Sequence, residues 1–186
     1  TTEIYTLSLH DALPISDGSL VSETSPSGTV LYSYDDENRL IAVQQGSDAW
    51  TYTYDAFSQR VAANHNGIAI RYAIDPVGLG NVVGEYDAAG GLVAGYDYGL
   101  GLLSRTAGGA SAWYTFDALG NTSALTNGVG GILDSYAYEP FGATLHETGN
   151  VPNPFRFVGK WGVMHENNGL QFMRARYRLE STGSFL

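Results

Sequence analysis

Acidic residues stand at positions 35, 55, 75, 97, 117 and 139, and tyrosine or another aromatic precedes nearly every one at close range. Carboxylates at so regular a spacing raise the question of acid–base chemistry, which needs two carboxyls whose surroundings push their pKa values apart. Here each has a simpler role. The copies read Tyr32-Ser33-Tyr34-Asp35, Tyr52-Thr53-Tyr54-Asp55, Tyr72-Ala73-Ile74-Asp75, Tyr96-Asp97, Tyr114-Thr115-Phe116-Asp117 and Tyr136-Ala137-Tyr138-Glu139, with steps of 20, 20, 22, 20 and 22. An Asp that opens a turn accepts backbone N–H bonds. The spacing therefore accounts for the carboxylates as turn formers, and catalysis by them is unsupported.

The other candidates for chemistry are weaker. His65, His146 and His165 are scattered without metal-ligand spacing, so no metal or other cofactor is expected. Gly78-Leu79-Gly80-Asn81-Val82-Val83-Gly84 superficially resembles a dinucleotide loop, but its last interval is one residue too long and no βαβ pattern surrounds it. Asn121-Thr122-Ser123 fits a glycosylation acceptor, yet the turn role of Asn121 explains it better. No Ser, His and Asp stand in a nucleophile-elbow context. Trp50 and Trp113 could stack on sugar rings if exposed, which would make the chain an adhesive or carbohydrate-binding module.

The elements that carry these residues follow from the same period. Regular self-similarity marks a repeat architecture. Before each acidic residue runs an alternating segment such as Trp50-Thr51-Tyr52-Thr53-Tyr54, which places rings on one strand face and Thr, Ser or Ala on the other. After it come turn residues, as in Asp55-Ala56-Phe57-Ser58-Gln59 or Asp117-Ala118-Leu119-Gly120-Asn121, and then a returning strand such as Arg39-Leu40-Ile41-Ala42-Val43. Two strands of about 6 residues and two turns fill the unit. A lone hairpin is marginal in water, so neighbours must stack into a continuous sheet. Because every step is even, one face keeps its aromatics inward along the whole strip. The expected fold is all-β.

Residues 1–16 stand apart. Thr1 to Ile15 back-translates codon by codon to a string that resembles a widely used sequencing adapter. This stretch is expected to be adapter-derived and to take no part in the fold, so His10 and Asp11 carry no functional weight. It has neither the basic start nor the long apolar core of a signal peptide.

With 24 Gly, 13 Tyr and 15% charged residues, the composition suits a turn-rich β protein and argues against disorder. The chain has no cysteine and therefore no disulfide or thiolate metal site. No run of about 18 apolar residues predicts a membrane span. Of the net charge of −10, residues 17–142 hold 4 Arg against 14 acidic groups, whereas residues 143–186 hold five basic groups against three acidic ones. So acidic a body argues against nucleic acid as the main partner.

After Tyr138-Glu139-Pro140-Phe141-Gly142 the text changes to Asn153-Pro154-Phe155-Arg156-Phe157-Val158-Gly159-Lys160, then Asn168-Gly169-Leu170-Gln171-Phe172-Met173-Arg174-Ala175-Arg176-Tyr177, and Thr182-Gly183-Ser184-Phe185-Leu186. With the repeats, this resembles the rearrangement-hotspot (RHS) or YD-repeat family and its repeat-associated core. That core reads Tyr-Asp-Pro-Phe-Gly, Asn-x-Phe-x-Phe-x-Gly, Gly-Leu-Tyr, Arg-x-Arg-Tyr-Tyr and Gly-x-Phe in the same order. The resemblance spans about residues 30–186. With the adapter-like segment at 1–16, three parts are expected, the other two being repeats at 17–142 and a truncated core segment at 143–186.

The family's fold, also seen in teneurins, is a β-strip spiralling into a hollow shell that the core segment plugs. Bacterial members enclose a C-terminal toxin covalently continuous with the shell, and are secreted or carried on the cell surface. In them an aspartate autoprotease releases the toxin with help from an arginine at the position of Arg176. The essential aspartate is expected about three residues beyond Leu186, so this chain is expected to be no enzyme in itself. Arg178-Leu179 replaces the family's Tyr-Asp, and Gln171-Phe172-Met173 stands where the family favours tyrosines. The resemblance thus implies toxin encapsulation and delivery; the rival is a surface module that binds cell-surface glycans.

Overall fold

Alternating side chains and short turn-forming loops fold this chain into one antiparallel hairpin after another. The structure is a computed structural model that describes residues 15, 16, 18–26, 28–77 and 80–186. A small pair, β1 (Ile15–Ser16) with β2 (Ser19–Leu20), precedes the main sheet. Among the described residues that sheet has thirteen strands in strict sequence order. They are β3 (Ser22–Ser25), β4 (Gly28–Tyr34), β5 (Leu40–Gln45), β6 (Asp48–Tyr54), β7 (Arg60–His65), β8 (Ile68–Ile74), β9 (Val82–Tyr86), β10 (Leu92–Tyr98), β11 (Leu102–Ala107), β12 (Ala110–Phe116), β13 (Thr122–Thr126), β14 (Ile132–Tyr138) and β15 (Thr144–Thr148). The chain then turns back. A 3-10 turn, Gly159–Trp161, leads into a second sheet of β16 (Met164–His165), β17 (Leu170–Met173) and β18 (Arg176–Leu179). The all-β hairpin strip expected from the repeat is the architecture observed.

In five of the six repeats the acidic residue shapes its loop. Asp55 Oδ1 accepts the backbone N–H of Phe57 and of Gln59, each at 2.9 Å, while Ser58 N donates to Asp55 O and adopts φ 60°. Asp35 and Asp117 hold their loops in the same way, through the N–H groups of residues two and four further on. Asp75 accepts the N–H of Val77. Glu139 contributes through its backbone carbonyl, which accepts the N–H of Gly142. Each of these hairpins carries a register shift just before the loop, at Ser33/Tyr34, Thr53/Tyr54, Ala73/Ile74, Thr115/Phe116 and Ala137/Tyr138. The opposite edge of the strip uses tighter turns such as Asn66-Gly67, at φ 51° and 89°, the left-handed pair such two-residue hairpins require.

The tyrosines do more than favour strands. Tyr34 OH donates to Leu20 O, Tyr54 OH to Leu40 O, Tyr98 OH to Val82 O and Tyr138 OH to Thr122 O, at 2.7 to 3.0 Å. Each acceptor is the strand residue that follows the previous loop on the same edge, so the phenols staple successive hairpins together. Burial pushes the Tyr34 phenol up to about 12, so it donates throughout the neutral range. Ile74 and Phe116 occupy the same register and lack the hydroxyl.

One expectation is corrected, and two strand pairings run across the expected segment bounds. Asp97 does not open a turn: it lies within β10, pairs across from Ser104, and its Oδ2 accepts the Ser104 hydroxyl at 2.7 Å. The loop comes two residues later, at Gly99-Leu100-Gly101, because Tyr98 rather than Tyr96 holds the position of Tyr34 and Tyr54. Strand pairing also continues beyond residue 142, since β15 completes the large sheet and the change of architecture falls after Thr148. Finally, Ile15 and Ser16 pair with Leu20 and Ser19, so a boundary at 16 cuts a small hairpin. Residues 1–14, His10 and Asp11 with them, lie outside the described residues, as do Gly78 and Leu79 of the glycine-rich loop. The part of that loop that is described enters β9, which leads through a turn at Asp87 to β10 and not to a helix.

Candidate functional site

Successive strands put the rings of Tyr32, Trp50, Tyr52, Tyr96, Tyr114 and Tyr136 on one buried face. A free sheet would expose that face; here residues 149–186 cover it. Three anchors hold the cover in place.

The central anchor is Phe155, fully buried, whose ring meets Tyr96 edge-on at 4.9 Å. Asn153 Oδ1 accepts the Tyr114 hydroxyl at 2.9 Å, and Thr122 donates its hydroxyl to Phe155 O at 2.7 Å. The backbone joins the sheet edge as well, with Thr122 N donating to Arg156 O and Lys160 N to Gly120 O. Ahead of it, Asp134 on β14 receives the Val151 N–H and the Tyr136 hydroxyl, which fixes where the chain leaves the strip.

The second anchor is a buried ion pair. Arg60, 3% exposed, donates to Glu166 Oε1 at 2.6 Å and to the Tyr177 hydroxyl at 3.0 Å. Its guanidinium lies 3.9 Å from the Phe172 ring centre and within 5.8 Å of those of Tyr52, Tyr72 and Tyr177. Burial alone would lower the Arg60 pKa, but Glu166 and the surrounding phenols outweigh it, so the value is raised and the group stays charged. The third anchor is Arg178, which donates to Phe141 O at 2.9 Å and Gln171 Oε1 at 2.8 Å, while Gln171 donates to Gly142 O.

Arg60 was not legible as a site residue, although a signal existed. It stands at the strand-opening position occupied elsewhere by Leu40, Val82, Leu102 and Thr122, a charged side chain where those are uncharged. Arg176 does not join this cluster. It is exposed on β18, its guanidinium 4.2 Å from the Phe185 ring centre. The repeat residues Tyr34, Asp35, Tyr54, Asp55, Asp75, Asp117, Tyr138 and Glu139 build the strip and its loop edge, and converge on no common site. Trp50 is buried and stacked on His65 at 4.4 Å, whereas Trp113 is 46% exposed on the opposite face. Among the described residues no three His, Asp or Glu side chains are placed to hold a metal ion, and no helix is long and apolar enough to cross a membrane.

This chain is 33% identical over 167 residues to the tRNA3(Ser)-specific nuclease WapA of Bacillus spizizenii, a match covering 86% of the chain and 7% of that protein. Its fold is shared with TcdB2-TccC3, at TM-score 0.60 and 11% identity over 84% of this chain and 9% of that one. The Photorhabdus luminescens Tc holotoxin pore aligns similarly, at TM-score 0.58 and 12% identity over 84% of this chain and 8% of that one. No family model matches. The chain therefore spans under a tenth of the length of each of these proteins.

Proposed function

We propose that this chain is the closing portion of an RHS-type shell that encloses and delivers a toxin covalently continuous with its C-terminal side. The observation carrying this reading is that residues 149–186 fold back onto the aromatic face instead of extending the strip, which is how a plug closes a hollow sheet. The nuclease relative and the holotoxin fold likeness support a toxin-associated role. Such a protein acts outside the cell that makes it, secreted or surface-borne. This portion is a scaffold rather than a catalyst, and Arg176, exposed near the C-terminal end, is available to assist cleavage by a downstream aspartate. The test is the longer protein purified from its native locus. On a denaturing gel it is expected to run as two fragments, and Arg176→Ala is expected to slow cleavage. An intact chain removes self-cleavage from the account, and undiminished cleavage in Arg176→Ala removes that residue.

A second reading rests on Trp113. Its half-exposed indole stands on the outer face beside Thr126 of the neighbouring strand, an aromatic platform suited to a sugar ring. Trp50, being buried, is excluded as a sugar platform. Glycan-array binding lost in Trp113→Ala would support this reading; the absence of any binding would end it.

A further inference from the structure

Two cavities flank the Arg60–Glu166 bond, and they differ in charge. Arg60 and Arg174 line one, and no described acidic residue does. Glu166 and Glu85 line the other, and no described Lys or Arg does. The second, of about 190 Å³, has Trp50, Tyr72, Ile68 and Ile70 on its sheet side and residues 164–167 of the returning segment opposite. We propose that this cavity binds a primary ammonium on an aliphatic stem, the chemistry of a lysine side chain, presented by polypeptide held against the inner face of the strip.

The fit follows from the walls. The Trp50 and Tyr72 rings on the cavity wall attract a cation, and Glu85 supplies the counter-charge, Glu166 being already paired with Arg60. Ile68 and Ile70 suit a methylene stem, as when a lysine lays its chain along apolar surface. Glu85 accepts the Tyr96 hydroxyl and stands in no ion pair among the described residues. Burial raises its pKa even though the Tyr96 hydroxyl donates to Oε1 at 3.1 Å and Arg105 and Arg60 act to lower it. The two histidines at the rim are already engaged, His65 stacked on Trp50 and His165 bonded to Glu180 Oε1.

Only the source of the lysine rests on the shell reading; the ammonium chemistry does not. The test titrates this chain with n-butylammonium and, separately, with neutral 1-butanol, following the methyl signals of Ile68 and Ile70 by NMR. Saturable shifts are expected with butylammonium at about tenfold tighter affinity than butanol, and a loss of about tenfold in Glu85→Gln, which keeps an acceptor for Tyr96. Equal response to butanol, no saturable shift, or unchanged binding in a folded Glu85→Gln overturns the proposal. Should Glu85→Gln fail to fold, the butanol comparison on the unaltered chain decides. In the longer protein, carboxyl-to-amine coupling is expected to join Glu85 or Glu166 to a lysine elsewhere in the chain. Butylammonium binding without such a link overturns the lysine source and leaves the shell reading to its own test.

Discussion

Arg60 and Glu166 lie 106 positions apart in the chain and meet at 2.6 Å, fastening β7 to the segment that returns over the sheet. Both side chains are almost wholly removed from water. Their attraction must offset the loss of two hydration shells, so the pair contributes less to net stability than to fixing one docking position.

Removing one partner strands the other. Arg60→Met is expected to destabilise the fold by about 3–5 kcal/mol, because Glu166 is left charged and buried, whereas Arg60→Met with Glu166→Leu recovers most of that loss. Urea unfolding midpoints of the three proteins measure it. A double variant as unstable as Arg60→Met would contradict the account of the anchor.

The phenol staples permit a test in both directions. Tyr54→Phe deletes the bond to Leu40 O and is expected to cost about 0.5–1.5 kcal/mol. Phe116→Tyr supplies the missing hydroxyl opposite Leu102 O, the acceptor its register implies, and is expected to stabilise by about 1 kcal/mol. Thermal unfolding of each variant reads the sign directly.

Loop carboxylates and the strand carboxylate should behave differently. Asp117 accepts the N–H groups of Leu119 and Asn121 and the Asn121 amide, whereas Asp97 accepts the Ser104 hydroxyl. Asp117→Ala is therefore expected to cost about 1.5–3 kcal/mol and Asp97→Ala about 1 kcal/mol or less. Partial burial tends to raise the Asp117 pKa, but the Asn121 side chain and backbone N–H groups outweigh it, so the folded value lies below the ordinary 3.8. A depressed carboxyl stabilises fully above its unfolded pKa and loses that contribution as pH falls through the folded one. The Asp117→Ala penalty should thus be complete at neutral pH and shrink below about pH 4.

That contrast also shows what the sequence could and could not reveal. The period, the inward rings and the turn carboxylates at 35, 55, 75 and 117 were legible, because each repeat is a local hairpin whose rules act over a few residues. Tyr96-Asp97 misled because two tyrosines, 96 and 98, each precede a residue able to turn the chain, and only pairing with β11 selects Gly99. Arg60, Glu85 and Glu166 were opaque for another reason. Arg60 and Glu166 meet across about a hundred positions, Glu85 joins them only where the returning segment lies over its strand, and nothing in the local pattern encodes which strands that segment covers.

Gly149 marks the point where the chain leaves the strip. At φ 84° it passes so close to Asp134 Oδ1 and Leu133 O that a Cβ has no room. Gly149→Ala is expected to lose well over 2 kcal/mol. Gly130→Ala, at φ 83° with nothing near its added Cβ, should lose about 1–2 kcal/mol. Equal losses would mean that the crowding at Asp134 does not matter.

The central claim, enclosure behind a plug, is tested most directly by limited proteolysis of the longer protein from its native locus. Polypeptide downstream of residue 186 is expected to resist protease in the native state and to be digested once urea opens the sheet. Digestion of that segment at native rates like those of an unprotected tail, with the strip itself intact, would contradict the account.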